Sequence, residues 1–283
     1  MVSPARKRDA VAYLRKRHRV SERRACRVVG QHRSVQRYKP EPPEFELTLV
    51  RRMNELAAEH PRYGSPRICA LLKAEGFKVN HKRIERLWRA EGHRVPKHRK
   101  ASGKRAQGGS ESSAWNLRAT KPNDIWSYDF VATRTSRGGQ VRILNIVDEF
   151  TRRSVGIKVE SHIGTKGVMD ALAEAFKAHG RPNVLRSDNG REFIAEKLAD
   201  WLGALGVDQA FIEKGTPQQN PFVERFNGTM RDEVLNGEYF DNILEARAVL
   251  LEWVDLYNTK RPHRGLGMKT PEEFFRGIRV VGK

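Results

Sequence analysis

Three acidic residues in this 283-residue chain stand where carboxylates can do chemistry: Asp129, Asp188 and Glu224. Asp129 sits in Trp126-Ser127-Tyr128-Asp129-Phe130, an aromatic stretch where a lone charge is costly unless it is paired or binds a cation. Asp188 follows the apolar run Val184-Leu185-Arg186-Ser187, at the carboxyl end of an expected strand, where open α/β sheets place their ligands. Glu224 lies on a helix expected to start near Pro221 and to continue to about Leu235. Hard divalent cations take carboxylate oxygens, and phosphodiester chemistry at a pair of ions needs several converging from rigid elements. Each acid alone has an ordinary explanation: a salt bridge for Asp129, an Asp-Asn-Gly turn for Asp188, a solvent-facing row of charges for Glu224. The set of three carries more weight than any member.

Other side chains could assist. Asn220 and Arg231 lie four before and seven after Glu224, so helical spacing puts all three on one face. Arg231, Arg225 and Lys214 are candidates for holding phosphates near the reacting bond, because they flank Glu224 in sequence. Arg261, in Arg261-Pro262-His263-Arg264, ends a helix carrying Trp253 and Tyr257 and is a candidate cation for DNA, as are Lys97, Arg99 and Lys100 in a basic stretch. Asp148 and Glu149 are rival acids; Asp148 is expected to cap the turn into Thr151-Arg152-Arg153. His162, His179 and His263 could act as bases, but chemistry at metal-bound water requires none.

These groups need a scaffold. Beyond Asp124 the chain reads as strands at 125–133, 141–147 and 154–160, an antiparallel meander, then a helix at 165–179, a strand at 184–187, a helix at 196–205 and a short strand at 208–212, with helices to the end. This is an α/β pattern, a mixed five-stranded sheet flanked by helices in a strand order that suits a ribonuclease-H-like core. Small all-α modules precede it. Residues 1–40 read as a basic, helix-turn-helix-like helical segment, with a plain basic hairpin as the alternative. Residues 44–93 form a second helical module, with Ser65 expected to cap the helix after Pro61-Arg62-Tyr63-Gly64, and Asn80 the next. A basic linker spans 94–123, and the sheet-bearing core spans 124–277.

Composition narrows the partners. Lysine and arginine total 54 against 34 acidic residues, a net charge of +20, which favours a polyanion. No apolar run is long enough to span a bilayer and the start lacks a secretion signal, so a cytoplasmic protein with no membrane partner is expected. Cys26 and Cys69, the only cysteines, support neither a disulfide framework nor a zinc site.

Fifty-eight residues separate Asp129 from Asp188, and thirty-five separate Asp188 from Glu224. At this spacing the three resemble the acidic triad of the DDE transposase and retroviral integrase superfamily. His60-Pro61-Arg62-Tyr63-Gly64-Ser65-Pro66-Arg67-Ile68, Tyr257-Asn258-Thr259-Lys260-Arg261-Pro262-His263 and Thr270-Pro271-Glu272 extend the similarity over nearly the whole chain, to the second-frame transposase protein of the IS-three family of bacterial insertion sequences. The resemblance implies strand cleavage at element ends and strand transfer, two Mg²⁺ ions on the three carboxylates with Mn²⁺ able to substitute, element-end and target DNA as partners, a homo-oligomer on DNA, and fusion to an upstream-frame protein by frameshifting. A non-catalytic helix-turn-helix regulator and a stand-alone ribonuclease-H-like nuclease remain as alternatives. The His/His/Cys/Cys zinc module of retroviral integrases is not reproduced by these cysteines and histidines, so no structural zinc is expected.

Overall fold

The computed structural model describes residues 3–38, 44–95, 117–213 and 219–281. Lys97, Arg99, Lys100 and Lys214 lie outside the described residues. The chain forms two compact units, Met1–Arg52 and Met53–Lys283, dividing within one helix.

In the first unit, α1 (Pro4–His18), α2 (Glu22–Val29) and α3 (Arg33–Arg37) enclose a small core of Val11, Ala25 and Cys26. Ser21 caps α2, its side chain accepting from the Arg24 N–H. Gly30 ends that helix in the left-handed region at φ 65°, which a Cβ would disfavour. Glu22 pairs with Arg33 and Arg37, tying α2 to α3. The helix α4 (Glu44–Glu59) bridges the division.

The second unit continues with α5 (Ser65–Ala74) and α6 (His81–Ala90). Gly64, not Ser65, is the residue that precedes α5, and no side chain caps it; Pro66 in the first turn needs no donor partner there. Asn80 caps α6, accepting from the Lys82 N–H, and Ile84, Leu87 and Trp88 are buried.

The sheet comprises β1 (Ile125–Arg134), β2 (Gln140–Asp148), β3 (Ser154–Glu160), β4 (Val184–Ser187) and β5 (Asp208–Phe211) in the order β3-β2-β1-β4-β5. The meander β1 to β3 is antiparallel, whereas β4 runs parallel to β1, and β5 parallel to β4. A mixed five-stranded sheet of ribonuclease-H-like order is therefore present.

Strand alternation splits β1 between two cores. Trp126 and Tyr128 face α7 (Thr165–His179) and α8 (Glu196–Ala204), in a core with Leu144, Leu172, Phe176 and Leu185. Val131 faces the other way with Ile143, Val147 and Val159, against α9 (Pro221–Met230) and α10 (Ile243–Thr259). Trp126 and Tyr128 are fully buried, and side chains of that size each contribute about 2–3 kcal/mol by leaving water. Gly156 lets α7 come close: a Cβ there would meet Ile146 Cδ1 at 2.9 Å and Ala175 Cβ at 3.4 Å. After α9 a π-helical turn covers Arg231–Leu235, and α11 (Pro271–Val281) closes the chain. Regular α-helix thus ends at Met230, short of the expected Leu235. Among the described residues no helix is long and apolar enough to cross a membrane.

Candidate active site

Asp129 lies opposite Asn145 in the β1–β2 register, on the sheet face covered by α9. Its Oδ1 accepts from the Phe130 N–H at 2.8 Å and its Oδ2 from the Asn227 side-chain amide at 2.9 Å. Asn227 in turn accepts from Asn145 Nδ2 at 2.7 Å, so two buried amides hold the carboxylate between β1 and α9. Burial pushes the Asp129 pKa up to about 6; the Phe130 N–H opposes the shift, the Asp188 charge adds to it, and Asn227 and Arg231 oppose it.

Asp188 is exposed immediately beyond β4. Its Oδ1 accepts from the Gly190 N–H at 2.9 Å, the local bond that makes Asp-Asn-Gly a turn. A Cβ at position 190 would lie 3.0 Å from that same oxygen, so glycine permits the approach. Asn189 Nδ2 donates to the Ile212 carbonyl at 2.5 Å and ties the turn to the chain after β5. The turn and the site are thus one feature: it aims the carboxylate.

Glu224 is exposed on the first turn of α9, set there by Pro221 at the helix start. Its pKa is raised first by burial and then by the Asp129 charge. Asp129 therefore responds to Asp188, and Glu224 responds to Asp129. Among the described residues no group of three or more His, Cys, Asp or Glu stands in ion-holding geometry; the three acids are a convergence of charges around Asp129 rather than a closed cage.

The rival acids are committed elsewhere. Asp148 accepts from the Thr151 N–H and hydroxyl, each at 2.7 Å, and from the Asn123 N–H at 2.8 Å, capping the turn as expected. Glu149 is buried against Ser127, whose hydroxyl donates to it, and pairs with Arg186 at 3.2 Å. His263 is held well away from acid–base duty: burial, then the Arg261 charge, bring its pKa down to about 3.

Of the expected DNA contacts within the described residues, Arg225 and Arg231 are exposed on α9 and at the start of the π turn, and the Arg231 charge reaches Asp129. Arg261 and Asn220 differ from expectation. Arg261 is 5% exposed, and its guanidinium donates to Glu233 through Nε at 3.0 Å and Nη2 at 2.7 Å, so its donors face inward. Asn220 is 3% exposed and enters α9 as its first cap, with its side chain out of reach of solvent. Helical spacing predicts Asn220 on the face of Glu224, but the chain turns inward where the helix begins.

Asn145 and Asn227 were not singled out in the sequence, although a signal existed. Asn145 interrupts the apolar run Ile143-Leu144-Asn145-Ile146-Val147, and a buried amide is retained only where it is hydrogen-bonded. The two similar-looking motif stretches also meet. Arg62 forms an ion pair with Asp232 in the π turn, and Arg67 and Arg261 both lie over the Tyr63 ring, at 5.3 and 5.8 Å.

The chain is similar to known proteins over most of its length. Two family models described as "Integrase core domain" match residues 119–217 and 205–271, and one described as "HTH-like domain" matches 44–101. The insertion element IS407 uncharacterized 31.7 kDa protein of Burkholderia multivorans is 41% identical over 92% of this chain and 92% of its own. The corresponding IS476 39.2 kDa protein of Xanthomonas euvesicatoria is 38% identical over 99% of this chain and 79% of its own. The transposase of element IS904 from Lactococcus lactis is 30% identical over 80% of this chain and 92% of its own. Among solved structures, the HTLV-2 integrase catalytic core in complex with magnesium is similar with a TM-score of 0.46 and 17% identity, covering 56% of this chain and 99% of that one. An integrase core following an HTH-like domain defines a DNA transposase. The chain belongs to the IS-three family of insertion-sequence transposases.

Proposed function

We propose that Asp129, Asp188 and Glu224 are the catalytic acids of a polynucleotidyl transferase that nicks the ends of its insertion sequence and joins them to target DNA. The observation that carries this reading is the surplus of negative charge around Asp129: its pKa of about 6 and the raised pKa of Glu224 reflect carboxylates that no lysine or arginine pairs with directly among the described residues. Each Asp129 oxygen accepts one hydrogen bond, leaving lone pairs for cations, and an oxygen-only donor set suits Mg²⁺ or Mn²⁺. Asp129, Asp188 and Glu224 are the residues that would hold the ions. Bound there, the two ions would lower the pKa of an attacking water or 3′-hydroxyl and neutralise the departing 3′-oxygen.

The chain's own residues do the positioning. Asn227 and the Phe130 N–H fix the Asp129 carboxylate, so that it is already oriented when DNA arrives. Arg225 and Arg231 hold phosphates beside it, with Lys214, Lys97, Arg99 and Lys100 extending the basic track. The protein works as a homo-oligomer on DNA, and an upstream-frame protein is its fusion partner.

The test is incubation of the protein with Mg²⁺ or Mn²⁺ and labelled DNA carrying the flanking element's end, comparing wild type with Glu224→Gln. Metal-dependent nicking and joining lost in Glu224→Gln supports the assignment. Joining that survives in Glu224→Gln rejects it, and nicking without joining points to a nuclease.

A further inference from the structure

The sheet face that carries Asp129 holds a second feature that the chemistry above does not use. A cavity of about 550 Å³ opens beside the start of α9, lined by Phe150, Phe222, Phe274, Arg152, Arg186 and Glu149 among others. That volume lies in the range of small-molecule sites. Arg186 pairs across the strands with Ser127 and precedes Asp188 by two residues, so alternation sets it on the same face as the catalytic acids.

The walls are of two kinds. Phe150 and Phe274 approach each other with ring centroids 5.8 Å apart, and Phe222 carries the Arg152 guanidinium over its face at 3.8 Å. The cations are incompletely used. Arg186 is 3% exposed and spends Nη1 on Glu149 and Nη2 on the Leu117 carbonyl, yet its Nε has no hydrogen-bond partner among the described residues. Arg152 Nη1 is likewise buried without one. Unused buried donors carry a desolvation cost, which an apolar packing defect gives no reason to retain. Glu149 neutralises Arg186, so Arg152 leaves the cavity net positive.

We propose that this cavity takes one unpaired nucleotide of a DNA strand, its base against the phenylalanine rings and its phosphate on the Arg152 and Arg186 guanidinium groups. Aromatic faces beside guanidinium groups are the combination that recognises single-stranded nucleic acid, because every base has a π-face and every nucleotide a phosphate. The location suits a strand at the reacting bond: Ser127, which pairs across the sheet with Arg186 and donates to Glu149, stands two residues from Asp129 on the same face of β1, about 7 Å along the strand. A nucleotide next to the scissile phosphate therefore reaches the cavity while that phosphate stays at the carboxylates. The proposal rests on the DNA-joining reading for its substrate.

The experiment is irradiation of the full chain bound to a single-stranded oligonucleotide carrying 5-iodouracil at successive positions, followed by mass mapping of the attached peptide. Attachment at Phe150, Phe222 or Phe274 is expected, from one position of the strand, and roughly tenfold weaker single-strand binding in Arg152→Gln and Phe222→Leu variants whose melting temperatures match wild type. Glu224→Gln should label as wild type does, which separates this site from the catalytic acids. Attachment confined to other peptides, no binding of the oligonucleotide, or unchanged labelling in both folded variants would overturn the proposal even where joining activity is intact. Labelling by free 5-iodo-2′-deoxyuridine monophosphate without labelling by the oligonucleotide would overturn it in favour of a free-nucleotide site. Cavity labelling of a wild-type chain that shows no metal-dependent joining would support the cavity and count against the catalytic reading, so the two fail separately.

Discussion

Asn227 Nδ2 donates to Asp129 Oδ2 at 2.9 Å, across the gap between helix α9 and the central strand β1. Because Asn227 stands three residues after Glu224 on the same helix, this bond ties the helix that carries Glu224 to the Asp129 carboxylate and restrains the rotamer of that acid. Asn227→Ala should lower the joining rate about 10–100-fold and raise the Mg²⁺ concentration needed for half-maximal rate, as removal of orienting partners does at metal sites. A Mg²⁺ titration of joining checks it; an unshifted midpoint would show that the amide does not orient the acid. Asn145→Ala, one bond further back, should show the same effect in weaker form.

Asp129 is held at a pKa of about 6, above the ordinary 3.8. A folded-state pKa above the unfolded one means that stability from this group is full below pH 3.8 and falls away as pH rises towards 6. At pH 7 the charged carboxylate therefore weighs against folding by an amount on the order of 3 kcal/mol. Asp129→Asn should melt several degrees higher than wild type at pH 7 in the presence of chelator, with the gain shrinking towards pH 4. Calorimetry across that range checks the slope. Equal melting temperatures at pH 7 would show that the carboxylate is not strained.

His263 gives the opposite slope. Its pKa is brought down to about 3 by burial and by the Arg261, Arg67 and Arg152 charges, against an unfolded value of 6.5. A lowered folded-state value means full stability above pH 6.5 and progressive loss as pH falls towards 3. Replacing His263 with Gln should flatten the decline in melting temperature between pH 6.5 and 4, and a decline as steep as that of wild type would assign it to other groups.

Arg231 and Arg261 should separate cleanly in binding experiments. Arg231→Ala leaves the fold alone and should lower the slope of log affinity against log salt by about 1. Arg261→Ala strands Glu233, whose side chain is 9% exposed, and should cost about 3–5 kcal/mol of stability with the salt slope unchanged in whatever fraction stays folded. Denaturant melts and salt titrations of both variants decide it; a salt-slope change in Arg261→Ala would restore that residue to the DNA surface.

The strands and helices of the core were legible in the sequence because their patterns are local. β3 and β4 and the helix α7 begin and end where alternation, helical periodicity and flanking glycines place them. The acidic candidates were legible because Asp129 sits in an apolar strand. What escaped depends on pairing between distant elements. Arg261 read as a basic residue at a helix end, and only the fold reveals Glu233 twenty-eight residues away as its partner. Asn227 looked like one more polar helix residue until the sheet register brought Asn145 and Asp129 to it. Arg186 was read as part of an apolar strand, and its pairing with Glu149 has no local signature.

The cluster of Arg62, Tyr63 and Arg67 with Asp232, Glu233 and Arg261 joins the start of the α5–α6 helical pair to the turn that follows α9. Tyr63 is buried, with its hydroxyl beside the Glu233–Arg261 pair. A fragment cut at the linker to free the catalytic sheet would therefore bare one side of that ion pair and lose the ring that covers it. The boundary that composition draws between helical module and sheet is one in sequence only; heat or denaturant should find no seam there, and the two should melt in a single transition.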